Sequence, residues 1–224
     1  MQLLNDLQGM LQRTYALDGE HRVSDFLTTN PALAESLGLA PDSASGQERV
    51  LVSQGEESVD LAVYLHAGVL ERLGDADPLE RLHDGNVADF WTVLEGVSHF
   101  VYLAWNAGQS KPVTLLELEL QAEVDKFVLT SLLVAGQQGR VPDALHHGLF
   151  RLCRVDPSLD PDSRARYEAA SRYAGSYCAS LLDRFLRDRV DADLPDSALV
   201  SELRHFYRLT QRGKLSHIEA RRRG

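Results

Sequence analysis

One segment of the chain, residues 87–106, is apolar on almost every side of a predicted helix, VADFWTVLEGVSHFVYLAWN. A helix on a protein surface carries its apolar residues on one stripe, whereas a helix that is apolar all round is buried. We therefore expect this helix to lie at the centre of the fold. Other elements must then pack around it, which favours a helical, bundle-like core.

The polar residues of this segment form one stripe. They recur at steps of three and four, which places them on one face of the helix: Thr92, Glu95, His99, Tyr102 and Asn106. A buried carboxylate or imidazole needs a partner, because an unpaired buried charge is costly or loses its charge. The stripe therefore predicts polar partners on a neighbouring element.

The next predicted helix, residues 114–135 with Thr114 as its N-cap, carries a matching polar stripe. The members of that stripe are Glu119, Glu123, Lys126 and Thr130. The link between the two helices, residues 107–113, is short, and short links favour antiparallel neighbours. The two polar stripes can therefore face each other.

Three interpretations of the facing stripes are open. In the first, which is the commonest arrangement, the stripes form a structural network of ion pairs that fixes the register of the helices. In the second, four side chains converge on a single Zn, Mn or Fe ion: Glu95, His99, Glu119 and Glu123. In the third, the stripes line a metal-free pocket for a small molecule.

The segment VLEGVSHF, residues 93–100, resembles the active-site helix of zinc peptidases, which carries His-Glu-x-x-His. In this resemblance His99 matches the second histidine and Glu95 replaces the first. Gly96 stands where the catalytic glutamate belongs. The resemblance implies a small zincin-type layout without the general base that activates a zinc-bound water. It therefore argues against ordinary peptidase activity.

Most of the remaining chain also shows helical periodicity. Helices are predicted over residues 2–16, 23–28, 31–37, 67–73, 142–153, 162–190 and 197–211. RVLVS and VDLAVYL, by contrast, alternate in β-branched and apolar residues, and they predict a β-hairpin near residues 49–65. The predicted fold class is mainly α, or α+β by strict count, with a helical bundle-like core and one β-hairpin.

The loop VDPSLDPDS, residues 155–163, is the best candidate for a boundary within the chain. It divides residues 1–155, with the hairpin and the central buried helix pair, from residues 156–224, with a helical hairpin and a basic tail. We expect the two regions to form one cooperative domain.

The predicted helix 162–190, with Asp162 as its expected cap, has a face of small residues flanked by aromatic ones. These residues are Tyr167, Ala170, Ala174, Tyr177, Leu181 and Phe185. Small residues allow two helices to approach closely. The face predicts either a seam within the core of the chain, which is the commoner case, or an interface between two copies.

The C-terminal segment RLTQRGKLSHIEARRRG is basic, whereas the whole chain has a formal net charge of -10. Such a tail is most often a solvated chain end. Alternatively, it is a docking arm for an acidic partner or a nucleic acid, with Arg221, Arg222 and Arg223 as its contacts. The acidic balance of the whole chain disfavours nucleic acid as a partner.

The cysteine count, the hydropathy and the N-terminal sequence argue against several classes of protein without identifying one. The two cysteines are too few for a disulfide scaffold, and no apolar run reaches transmembrane length. The N-terminus lacks the basic and cleavage regions of a signal peptide, so we expect a cytoplasmic protein without membrane insertion. The excess of arginine over lysine suggests a bacterial source.

We therefore predict a helical protein that acts through a protein partner or through self-association, and the absence of a recognisable catalytic motif favours a non-enzyme. Two alternatives are open. The first is a metal-binding enzyme or an inactive relative of one, centred on the four candidate ligands. The second is a nucleic-acid-associated regulator that acts through the basic tail.

Overall fold

Helices dominate the computed structural model of the protein, which describes residues 1–36, 48–54, 59–152, 159–187 and 197–222. In chain order the α-helices are α1 (Gln2–Tyr15), α2 (Pro31–Ser36), α3 (Ala67–Asp75), α4 (Val87–Gly108), α5 (Leu115–Gln138), α6 (Ala144–His147), α7 (Pro161–Leu181), α8 (Ala198–Arg208) and α9 (Gln211–Arg222). A 3₁₀ turn forms at Val23–Phe26, and π-helical turns extend α6 and α7 at Gly148–Leu152 and Leu182–Leu186. The mainly α class is confirmed.

Three strands form one small sheet in the described part of the chain. They are β1 (Leu27–Thr28), β2 (Glu48–Gln54) and β3 (Val59–Leu65), in the order β1-β3-β2. β2 and β3 pair antiparallel, which confirms the hairpin, and its predicted turn at 55–58 lies outside the described residues. β1 pairs parallel with β3 and was not predicted, because two residues are too few to show an alternating pattern.

Helix α4 lies at the centre of the fold, as its apolar sequence predicts. Its side chains Phe90, Val93, Leu94 and Val97 are fully buried. α1, α3, α5 and the β2–β3 hairpin all pack against it. None of the described helices combines the length and the hydropathy that crossing a membrane requires.

Helix α5 begins and ends where local signals place it. The Thr114 side chain accepts a hydrogen bond from the backbone N–H of Glu117 at 3.1 Å, which confirms the predicted N-cap. The helix continues to Gln138, past the predicted end at 135, because the left-handed residue that closes it is Gly139 with φ of 78°.

The predicted cap of α7 is wrong by two residues. Asp160, and not Asp162, caps the helix, because its side chain accepts hydrogen bonds from the backbone N–H groups of Asp162 and Ser163 at 2.9 and 3.0 Å. Pro161 then occupies the first turn, where its missing N–H leaves no unmet donor. The proposed boundary after residue 155 lies outside the described residues.

The small-residue face of α7 belongs to the core of the chain. Ala170, Ala174, Tyr177 and Leu181 are all buried, and α7 packs closely against α5. These four residues therefore pack within the chain, and the alternative of an interface between copies stays a prediction. Tyr167, at the start of the face, is only partly buried.

The basic tail is not a solvated end over residues 211–222. It forms α9, which packs against α7 and buries Lys214 and Ile218. The Lys214 ammonium donates to the Gln121 side chain at 2.5 Å and to the Phe206 carbonyl at 3.1 Å. The prediction of a solvated end is wrong because this lysine and isoleucine supply a buried face to a helix that is otherwise polar.

Candidate metal centre

The polar stripes of α4 and α5 meet along the contact between the two helices. Trp91 donates to the Thr130 hydroxyl at 3.0 Å near one end of the contact, and the Tyr102 hydroxyl donates to Glu117 at 2.5 Å near the other. Lower residue numbers on α4 therefore match higher numbers on α5, so the helices are antiparallel. Between these two contacts lie most of the candidate ligands.

His99 lies at the centre of the meeting stripes with only 5% of its surface exposed. Its Nε2 is 3.5 Å from Oε2 of Glu119, and its Nδ1 is 3.6 Å from Oε1 of Glu48. Both distances exceed the 2.7–3.2 Å range of N–H···O hydrogen bonds. His99 Nε2 and Glu48 Oε1 are buried and have no hydrogen-bond partner within the described ranges. The imidazole thus lies between two carboxylates without bonding closely to either.

Glu48 is a site residue that the sequence did not reveal. It is the first residue of β2, it is 4% exposed, and it reaches His99 from the sheet. A β-carbon at Gly96 would lie 3.1 Å from Cγ and 3.2 Å from Oε1 of Glu48. Gly96 therefore leaves the space that Glu48 occupies. A glycine within an apolar helix signals a close approach of this kind, but it does not identify the partner.

The four predicted ligands do not all converge. Single ligand atoms of Glu95, His99 and Glu119 lie within 4.8 Å of one another, the spacing of a set that can hold a metal ion. Glu123 instead pairs with the Lys126 ammonium at 2.5 Å. Lys126 also contacts Glu95 Oε2 at 2.9 Å, so its ammonium bridges Glu123 and Glu95.

Burial and charge perturb the protonation of the whole cluster. Burial raises the pKa of Glu48 to about 7, although the neighbouring His99 partly offsets this. Burial disfavours the charged form of His99, yet Glu119 and Glu48 together raise the pKa of His99 well above its ordinary value. Burial likewise opposes ionisation of Glu95, but Lys126 and His99 hold the pKa of Glu95 below its ordinary value.

The cluster contains more negative than positive groups. Within the described ranges, all ion pairs of its four carboxylates are made with Lys126 or His99. With every group ionised, four negative charges face two positive charges, which leaves an excess of two. Low-dielectric surroundings make such an excess unfavourable. A divalent cation that replaces the proton of His99 would reduce this excess to one.

Tyr167 lies on α7 and is partly buried. Burial raises the pKa of its hydroxyl, with further contributions from Glu119, Glu95 and Glu48, so the hydroxyl is within electrostatic reach of the three carboxylates. Its part in an interface stays a prediction.

The tail arginines predicted as contacts have different surroundings. Arg221 donates to the Glu202 carboxylate and, at 2.9 Å, to the His217 ring, so the fold already engages it. Arg222 is exposed, and Arg223 lies outside the described residues.

A second polar network lies deeper between α4 and α5 and was also not predicted. Asp125 accepts hydrogen bonds from the Tyr15 hydroxyl, from Ser98 at 2.6 Å and from Gln121 at 2.8 Å. Burial raises the pKa of Asp125 to about 6. Its carboxylate oxygens are occupied by donors, so this network is structural, in contrast to the loosely bonded His99.

Comparison of the chain with protein-family models, with curated proteins and with solved structures returned no match.

Proposed function

We propose that the protein binds one divalent transition-metal ion, with Glu95, His99 and Glu119 as ligands and Glu48 as a further carboxylate on the opposite side of the imidazole. The observation that carries this proposal is the trio itself, with His99 and Glu119 buried and Glu95 partly buried. Its ligand atoms lie within 4.8 Å of one another, and the Nε2 atom of its histidine has no hydrogen-bond partner in the described part of the chain.

The spacing of the donor atoms supports an ion more than a direct hydrogen bond. Two ligands bound to one metal at about 2.1 Å and at a tetrahedral angle are about 3.4 Å apart. The distance from His99 Nε2 to Glu119 Oε2 is 3.5 Å. A direct hydrogen bond would draw these two atoms to about 2.9 Å.

The donor set indicates which ions fit. An imidazole combined with carboxylates suits Zn²⁺, Mn²⁺ or Fe²⁺, whereas Ca²⁺ prefers oxygen ligands alone. Lys126 contacts Glu95 through Oε2, and a carboxylate has two oxygens. Oε1 of Glu95 is therefore the natural ligand atom, so the ion and the lysine need not compete for the same oxygen.

The exposed side of the cluster suggests the chemistry. The side chains of Glu95 and Glu123 are 21% and 20% exposed, whereas that of His99 is 6% exposed. Water therefore has access from the side of these two glutamates. A bound metal ion would supply a water of lowered pKa, and Glu123, which Lys126 links to Glu95, would be the carboxylate to accept a proton from it. The reaction class we propose is metal-assisted hydrolysis.

The test is the metal content of untagged protein, measured by inductively coupled plasma mass spectrometry. Wild type is compared with His99→Ala, Glu119→Gln and Glu123→Gln. The last variant is the matched control, because it makes the same isosteric change one helical turn away on α5 but outside the trio. Circular dichroism confirms that each variant is folded.

We expect near-stoichiometric metal in wild type and in Glu123→Gln, and loss of the metal in the other two variants. Wild-type protein that binds no metal, even after incubation with Zn²⁺, Mn²⁺ or Fe²⁺, would contradict the proposal. The cluster would then be a structural network that fixes helix register.

A protein partner, self-association, a bacterial source and a cytoplasmic location stay predictions from the sequence. The composition supports a bacterial source, and no contact in the described residues favours a particular partner.

A further inference from the structure

A cleft separate from the candidate metal centre lies between α7 and the segment formed by α6 with its π-helical turn. Its volume is about 790 Å³, within the range of pockets that hold small molecules. The side chains that matter to its chemistry are His146, Phe150, Arg151, Arg172, Ser176 and Arg222.

The cleft is basic in a chain that is acidic. It brings together Arg151, Arg172 and Arg222 from three different elements, and among the residues that the structure describes Glu168 is the one acidic residue in its lining. Within the described ranges, none of the three arginines has a carboxylate within 4.0 Å. Arg187, by contrast, faces Asp183 at 2.6 Å. The three guanidinium groups are thus available to an anion.

The wall of the cleft is held by packing and by a hydrogen bond. A β-carbon at Gly175 would lie 3.2 Å from Cγ of Phe150, so this glycine lets the Phe150 ring pack directly against α7. The His146 Nε2 lies 2.7 Å from the Gly175 carbonyl oxygen, which fixes Nε2 as the donor. The centroids of the His146 and Phe150 rings are 5.0 Å apart. Gly175 thus anchors both rings in the wall.

We propose that this cleft binds a small organic phosphate, with the three arginines on its phosphate groups and Phe150 against its organic part. A guanidinium presents a planar pair of N–H donors that matches phosphate oxygens, and its charge persists at any physiological pH. The hydroxyl of Ser176 adds a neutral donor. The proposal does not depend on the metal centre.

Calorimetric titration with inorganic pyrophosphate tests the phosphate subsite. The titration is made at about 0.15 M salt, because long-range attraction between exposed charges is then largely screened. Wild type is compared with Arg172→Gln and Arg222→Gln. Arg212→Gln is the matched control, since Arg212 is exposed on the same helix as Arg222 but does not line the cleft. His99→Ala controls for pyrophosphate bound at the metal centre.

We expect saturable binding that weakens about tenfold in each cleft variant, the loss typical of one charge-assisted hydrogen bond. The Arg212→Gln and His99→Ala variants should retain wild-type affinity. No binding in wild type, an equal loss in Arg212→Gln, or a loss only in His99→Ala would overturn the proposal. Citrate that binds as tightly as pyrophosphate would overturn the assignment to phosphate.

Discussion

Replacing Gly96 by alanine tests whether Glu48 really approaches α4. A glycine in an open helical position ordinarily loses about 0.5–1 kcal/mol relative to alanine, so the substitution usually stabilises. At Gly96 the new methyl group would lie 3.1 Å from Glu48 Cγ and 3.3 Å from Val63 Cγ1. Both neighbours are buried, so neither can move aside into solvent.

Overpacking of a buried site costs about 1–3 kcal/mol. After the gain in helix propensity is subtracted, we expect Gly96→Ala to lower the free energy of unfolding by about 0–2.5 kcal/mol, with about 1 kcal/mol at the middle of the two ranges. The displaced Glu48 would also leave His99, so the metal affinity should fall in the same variant.

Urea denaturation followed by circular dichroism measures the effect. Gly136→Ala on α5 is the matched control, because a β-carbon there meets nothing within 4 Å, and it should raise the free energy of unfolding by about 0.5–1 kcal/mol. Equal stabilisation by both substitutions would refute the packing of Glu48 against Gly96.

Three further predictions follow from the buried charges and from α9. Lys126→Met leaves Glu95 without the Lys126 ammonium, so we expect the free energy of unfolding to fall by about 3–5 kcal/mol. Urea denaturation of metal-free protein measures this, and a decrease below about 1 kcal/mol would show that the pair is not buried. Burial lowers the pKa of Lys214 to about 7, against about 10.4 in the unfolded chain, so between pH 7 and 10 only the unfolded state holds this proton. As the pH rises through that window, the free energy of unfolding of wild type should therefore increase relative to that of Lys214→Met by up to about 1.4 kcal/mol per pH unit. Unfolding free energies of the two proteins that change in parallel with pH would contradict this. Ile218→Ala should lower the free energy of unfolding by about 2–4 kcal/mol because Ile218 is buried. A decrease below about 0.5 kcal/mol would show instead that α9 is a solvated tail.

The sequence predicts well those features that local pattern determines. The apolar character of residues 87–106 places α4 in the core, and the step of four between Glu95 and His99 puts both on the face that meets α5. The alternation of VDLAVYL likewise identifies a strand. Each of these depends on periodicity within one element.

Features that depend on contacts between distant segments could not be predicted in the same way. Glu48 opens a strand and has no local sign of burial, yet the space left by Gly96 admits it to the cluster. Lys214 lies in a basic segment, and its burial depends on contacts with other elements: its hydrogen bond to Gln121 and the rings of Phe206 and Tyr102, at 4.4 and 5.2 Å. Glu123 shares a stripe with Glu119, but the nearby Lys126 takes it as a partner.

The most direct test of the metal centre is anomalous diffraction from crystals grown with Mn²⁺. We expect an anomalous peak about 2.0–2.3 Å from His99 Nε2 and from the nearest oxygens of Glu119 and Glu95. No peak at this position, together with His99 in a direct hydrogen bond to Glu119 at about 2.9 Å, would contradict the proposed centre.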